Sequence, residues 1–196
     1  MADSSGIGHV TQSLQDALKA AIFASGPFAG TQVDLRSPKE IGTPAGGAMV
    51  LSMWLYRVSR FDELENAPPR INAAGRLVRA PLPLVLHYLV TPLTSDELGR
   101  HRLLGAAMQT LHDQARLGEE FLRPGLTGVE DGPVSIHLEQ QSFDDTARLW
   151  HALNAPYQLS VSYLAQYVAL ETSRSFAMGA PVLDTTARYA EIEGVA

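Results

Sequence analysis

The chain has 196 residues, 45% of them hydrophobic and 18% charged, with a net charge of −6 and no cysteine. That composition belongs to a folded domain with a real core rather than a disordered chain. It excludes disulfides and thiolate metal sites, and the acidic balance argues against a nucleic-acid binder held by phosphate contacts or adhesion to an acidic membrane.

Val10, Leu14, Ala17, Leu18, Ala21 and Ile22 recur at helical spacing and predict an amphipathic first helix, ended by "SGP" at 25–27. The start, "MADSSGIGHV", carries neither a basic region nor an apolar run. The expectation is therefore cytoplasmic synthesis and assembly without a signal peptide. "TQVDLR" suggests a short strand with Val33 and Leu35 on one face. "GTPAGG" (42–47) lacks the Lys-Ser/Thr of a phosphate loop and reads as a plain loop. "VLSMWLYRV" (50–58) is a strand, because aromatic and branched residues suit a half-buried pleated surface.

Residues 59–79 form a polar connection, most simply a long hairpin loop. Five arginines against three acidic residues make 57–79 locally basic, either as a solvated loop or as a docking surface for an acidic partner. Within that surface Arg57 and Arg60 are candidate interface residues. "LVLHYLV" (84–90) is apolar on both faces, so it is expected as a central strand covered on both sides, with Pro81 and Pro83 before it. The longest apolar run, "PLPLVLHYLV", is too short to span a bilayer.

Thr94 and Glu97 have the spacing of a capping box for a helix over 95–116, with Leu104, Ala107, Met108, Leu111 and Ala115 as its buried stripe. A strand follows at 134–139. Ser142 and Asp145 then cap a short helix whose buried face is Phe143, Ala147, Trp150 and Leu153. "YQLSVSYLAQYVAL" (157–170) reads as one strand that would reach roughly 46 Å. Its apolar face holds Tyr157, Leu159, Val161 and Tyr163; its polar face, Gln158, Ser160, Ser162 and Gln166, is the other candidate interface. Residues 1–170 are expected as one domain and 171–196 as a C-terminal tail.

Three histidines and an aspartate, His87, His101, His112 and Asp113, raise the question of a metal or catalytic site. Eleven residues along a helix separate His101 from His112 by roughly 16 Å. One ion cannot hold both, since each ligand atom must lie about 2 Å away. His87 is instead expected as a core histidine with a hydrogen-bond partner, His101 at the edge of the buried stripe, and His112 near the helix's negative end. The acidic pairs Glu119–Glu120, Glu130–Asp131 and Asp144–Asp145 fit loop and cap positions. No catalytic, cofactor-binding or metal-ligating residue is assigned, and no cofactor is expected.

The order of motifs carries more. "MWLYRV", "PLPLVLHYLVTP", "HRLLGAAMQTLHD" and "IHLEQQSFDDTARLWHALNAPYQLSVSY" follow one another. The series resembles the cap, or tail-terminator, proteins of extracellular contractile injection systems, phage-tail-like particles of the antifeeding-prophage and virulence-cassette type. The resemblance covers roughly residues 8–170. It is sharpest at Pro81 to Pro92, continued by His101 to Asp113, and at Leu149 to Tyr163. "SRFDELENAPPR", after "MWLYRV", is richer in charge and proline than the family pattern.

The resemblance implies an α+β, phage tail-terminator-like fold: a largely antiparallel sheet of four or more strands flanked by helices. It implies a non-enzymatic part that forms a homohexameric ring, ends the inner tube and anchors the last sheath ring. Its partners would be itself, sheath and tube proteins, with neither nucleic acid nor membrane, in a particle open to extracellular release. Two alternatives stay open: a neck or connector protein of a contractile phage tail, and a small cytosolic enzyme without a recognisable motif.

Overall fold

The structure, a computed structural model, describes residues 4–23, 26–62, 68–71, 75–123, 126, 134–172 and 175–176. Helix α1 (Gly6–Leu18) continues into a π-helical turn, Lys19–Phe23. Val10, Leu14, Ala17, Leu18 and Ile22 are buried as the spacing predicts, whereas Ala21, in the π-helical turn, is exposed. Strand β1 (Gln32–Asp34) buries Val33, whereas Leu35 lies beyond the strand and is exposed, so the two do not share a buried face. A one-turn helix, α2 (Pro38–Ile41), opens with a capping box between Ser37 and Glu40.

Strand β2 (Val50–Arg60) and strand β5 (Leu82–Leu93) pair antiparallel. Their connection is thus the expected hairpin, but it carries a ladder of its own, β3 (Arg70–Ile71) against β4 (Leu77–Val78). Helix α3 (Glu97–Asp113), strand β6 (Ser135–Glu139), helix α4 (Phe143–Ala152), strand β7 (Val161–Leu170) and strand β8 (Ser175–Phe176) complete the order. The main sheet runs β1-β2-β5-β7-β6, and β8 joins β4 and β3 in a small second sheet. The main sheet is mixed: β1 runs parallel to β2, and the other three ladders are antiparallel.

β5 sits third of five, and every residue after Leu82 is buried. That matches a run apolar on both faces. Pro83 does not precede the strand; it lies within it, as does Pro92. Both stand within two residues of a strand end, where a missing N–H costs least.

One face of the sheet, with Leu51, Met53, Leu86, Tyr88, Val90, Tyr163, Ala165 and Val168, packs on α1 and α3 to form the core. α3 departs from expectation at two points. Its N-cap is Asp96, whose carboxylate accepts from the Leu98 N–H at 3.1 Å. Thr94 is wholly buried at the strand exit, two residues too early to cap. The buried stripe is Gly99, Leu103, Leu104, Ala107, Thr110 and Leu111. Met108 and Ala115 are half-buried, because the helix is rotated to put Leu103 into the core.

α4 is capped as predicted, Ser142 accepting from the Asp145 N–H at 3.1 Å. Of its four expected buried residues only Trp150 is buried; Phe143 is 71% exposed, and Ala147 and Leu153 are half-buried. β7 is shorter than predicted, since residues 157–160 run before the ladder begins. It is also interrupted. Leu84 faces Val168 and Leu86 faces Ala165, so Gln166 and Tyr167 together oppose Val85. This bulge, with Tyr167 at φ 62°, shifts the side-chain alternation by one, and Val168 returns to the core face. A second bulge in β2 sets Tyr56 between Leu55, opposite Tyr88, and Arg57, opposite His87.

Candidate functional site

Alternation along β5 sends His87 to the face opposite Tyr88, away from α1 and α3. There it is buried, 6% exposed, among polar groups from three other strands. Its Nε2 lies 2.8 Å from Ser59 Oγ, and its Nδ1 lies 3.3 Å from Glu139 Oε1. The other Glu139 oxygen accepts from the Ser162 hydroxyl at 2.6 Å, the Tyr56 hydroxyl at 3.0 Å and the Gln141 amide at 3.1 Å. The Tyr56 ring meets His87 edge-on at 5.9 Å.

Burial holds the His87 imidazole below its ordinary pKa; Glu139 opposes that shift, and the Arg57 guanidinium adds to it. Burial likewise pushes the Tyr56 phenol up, and its hydrogen bond to Ser162 acts against this. His87 therefore has the hydrogen-bond partner expected of a core histidine.

Ser59, His87 and Glu139 stand in the order of a proton relay, so the arrangement must be weighed as chemistry. The groove beside it, about 280 Å³, is lined by Leu89, Glu139, Ser160 and Ser162. Neither Ser59 nor His87 lines it. What faces that opening is a carboxylate already accepting three hydrogen bonds. The geometry is that of a polar clamp stitching β2, β5, β7 and β6 together.

The other members of the histidine question lie apart. His101, His112 and Asp113 are exposed on α3, which packs on the opposite face of the sheet from His87. His101 is thus on the solvent side rather than at the edge of the buried stripe. Among the described residues no three His, Asp or Glu side chains gather as metal ligands would. Glu119–Glu120 forms an exposed turn, Asp144–Asp145 is the exposed first turn of α4, and Glu130–Asp131 lies outside the described residues. Among the described residues no helix is long and apolar enough to cross a membrane.

The candidate interface residues divide. Ser160 accepts the Trp150 indole N–H at 3.2 Å, and Ser162 is 4% exposed within the clamp. Both already hold hydrogen bonds within the chain, and both line the groove beside the clamp. β7 lies between β5 and β6, so it is no sheet edge. Gln158 and Gln166 are half-buried; Arg57 and Arg60 are exposed. β1 pairs only with residues 50–52 of β2, so among the described residues the outer backbone edge of β2 from Met53 to Ser59 has no ladder partner. Sequence reading missed the clamp partners Tyr56, Ser59, Glu139 and Gln141. The one signal was His87 itself, a polar group in an apolar run that had to find a partner.

A family model for the Pvc16 N-terminal domain matches residues 9–184. The chain belongs to that family. Two solved structures share its fold. One is a PVC sheath/tube terminator in the extended state, from an extracellular contractile injection system. It is 16% identical with a TM-score of 0.65, over 95% of this chain and 65% of the other. The second is the tube-terminating cap of the anti-feeding prophage, 16% identical with a TM-score of 0.61, over 92% and 60%. The chain thus spans less than two thirds of the length of either structure. No curated protein matches the chain.

Proposed function

We propose that this chain is a structural terminator of a contractile injection particle: a homohexameric ring that ends the inner tube and anchors the last sheath ring. The observation that carries the reading is a family match across residues 9–184, together with a shared fold over 95% of the chain with a sheath/tube terminator. The protein is made and assembled in the cytoplasm and leaves the cell only as part of a released particle.

A terminator must bind the last ring and offer nothing to the next. The outer edge of β2 from Met53 to Ser59 suits the first task. An unpaired strand edge takes an extended arm from a sheath subunit through backbone hydrogen bonds, with alternate side chains setting specificity. Arg57 stands on that stretch and suits an acidic arm. This assigns arm capture to β2 rather than to residues 157–170, because β7 is enclosed by its neighbours.

The test is deletion of this chain from a particle-producing cell, with particle lengths and sheath occupancy measured by electron microscopy. Tubes of uncontrolled length or sheaths lacking a fixed end are expected. An unchanged length distribution with a normal terminal sheath ring refutes the reading. A proline at Val58 tests the edge separately: it should release the terminal sheath ring while leaving the isolated protein folded.

A further inference from the structure

Two further surface features are complementary. The first is a knob. Phe143 is 71% exposed and Tyr157 is 48% exposed, with ring centroids 5.6 Å apart. Asp144 and Asp145 follow directly and are exposed. Large aromatics standing free of the core are costly to leave in water, and here they carry two carboxylates beside them. The second is a groove of about 560 Å³, walled by Pro69, Pro81 and Pro83 and bordered by Arg60, Arg79 and Glu171. Three prolines stiffen its walls, two of its three charged residues are basic, and guanidinium groups sit well against aromatic faces.

A copy cannot fill its own groove with its own knob. α4 follows Glu139, which stands opposite Ser162, which stands opposite Leu89. The groove lies at the row where Leu82 faces Leu170. Seven residues of β5 separate those rows, roughly 23 Å along the strand. The two surfaces are distinct, so contact between copies is head-to-tail, and a head-to-tail contact that closes makes a ring.

We propose that the Phe143–Asp144–Asp145 knob of one copy seats in the Arg60–Arg79 groove of the next. The ring reading above supplies the second copy as occupant; the surfaces themselves rest on exposure, shape and charge. Phe143 fills the proline-walled groove, and Asp144 meets Arg79. The Asp145 carboxylate accepts from the hydroxyl of the Ser142 cap, so Asp144 and Phe143 are the side chains to change.

The experiment uses the full chain in sedimentation velocity and native mass spectrometry. Wild type is expected as a closed oligomer. Phe143→Ser, which spoils the knob, and Arg79→Glu, which spoils the groove, are each expected to be folded and monomeric at the same concentration. Mixed one to one, they should form a heterodimer and nothing larger, because the pair retains a single intact knob and groove. Asp144→Arg and Arg79→Asp should each weaken association about tenfold or more, and the two together in one chain should restore most of it. If either severe variant misfolds, Asp144→Asn replaces it, read as a weaker association with a shallower salt dependence. A monomeric wild type, variants that assemble like wild type, or a mixture that grows past the dimer overturns the proposal. Unchanged assembly of the variants with normal particle lengths would sink this contact and leave the terminator reading standing; wrong lengths are judged by the deletion experiment alone.

Discussion

Trp150 is the side chain on which the placement of α4 depends. It is 1% exposed, its indole N–H donates to Ser160 at 3.2 Å, and Tyr157 packs edge-on against it at 6.2 Å. A ring of this size takes on the order of 200 Å² out of water, worth about 5 kcal/mol at 25 cal/mol per Å². Alanine keeps part of that, and large aromatic truncations in cores cost about 3–5 kcal/mol. Tyr157 and Leu153 beside it are only half covered or exposed, so the vacated site can partly collapse. That places Trp150→Ala in the lower half of the range, about 3–4 kcal/mol.

Trp150→Phe separates the terms. It keeps most of the packing and loses the hydrogen bond, for a further cost of about 1 kcal/mol. The assay is urea unfolding at fixed protein concentration, since association would add stability by mass action. A thermal scan should show a fall of roughly 6–16 °C for the alanine variant. A loss below about 1 kcal/mol for Trp150→Ala would mean that α4 does not bury this ring and that the described placement of α4 is wrong.

Other substitutions probe other parts of the fold. Leu103→Ala should cost about 2–5 kcal/mol and Met108→Ala clearly less, since Leu103 is fully buried and Met108 only half; equal costs in urea unfolding would contradict the rotation found for α3. Asn154 closes α4 at φ 50°, so Asn154→Ala should lose about 1 kcal/mol and Asn154→Gly almost nothing; an indifferent alanine variant would remove the left-handed cap. His87 contributes to the pH dependence. Its folded pKa is lowered, so between that value and 6.5 the unfolded chain binds more protons and stability rises with pH. The contribution is fully present above 6.5 and is lost as pH falls through the folded pKa. His87→Phe should flatten the stability profile between pH 5 and 7, and an unchanged slope there would show that His87 does not titrate differently in the two states.

The first helix, both long strands and the Ser142 cap are written in neighbouring residues. Val10 to Ile22 repeat at helical spacing, "LVLHYLV" is apolar on both faces, and a serine three residues before an aspartate caps locally. Each is a short-range preference that survives whatever packs against it. His87 was legible as a core residue for the same reason: a lone polar group in an apolar strand must be paired. Family membership was legible in the order of such segments.

Tertiary structure decided what depends on distant partners. Thr94 and Asp96 are both competent caps, and the strand's hold on Thr94 selects Asp96. Leu103 displaced Met108 from the buried stripe because the sheet fixes the rotation of α3. Residues 157–170 look like one long strand. Yet Tyr56 and Gln166–Tyr167 are extra residues in their ladders, and only cross-strand register reveals which residue has no partner opposite. Each bulge moves later side chains to the other face, so Val168 is core although simple alternation from Tyr163 would turn it outward. Ser162 passed for a solvent-facing polar residue until Glu139, 23 positions earlier in the chain, was brought within 2.6 Å of it. Local sequence sets which segments form strands; their register, and with it the fate of each polar side chain, is fixed by contacts between segments far apart in the chain.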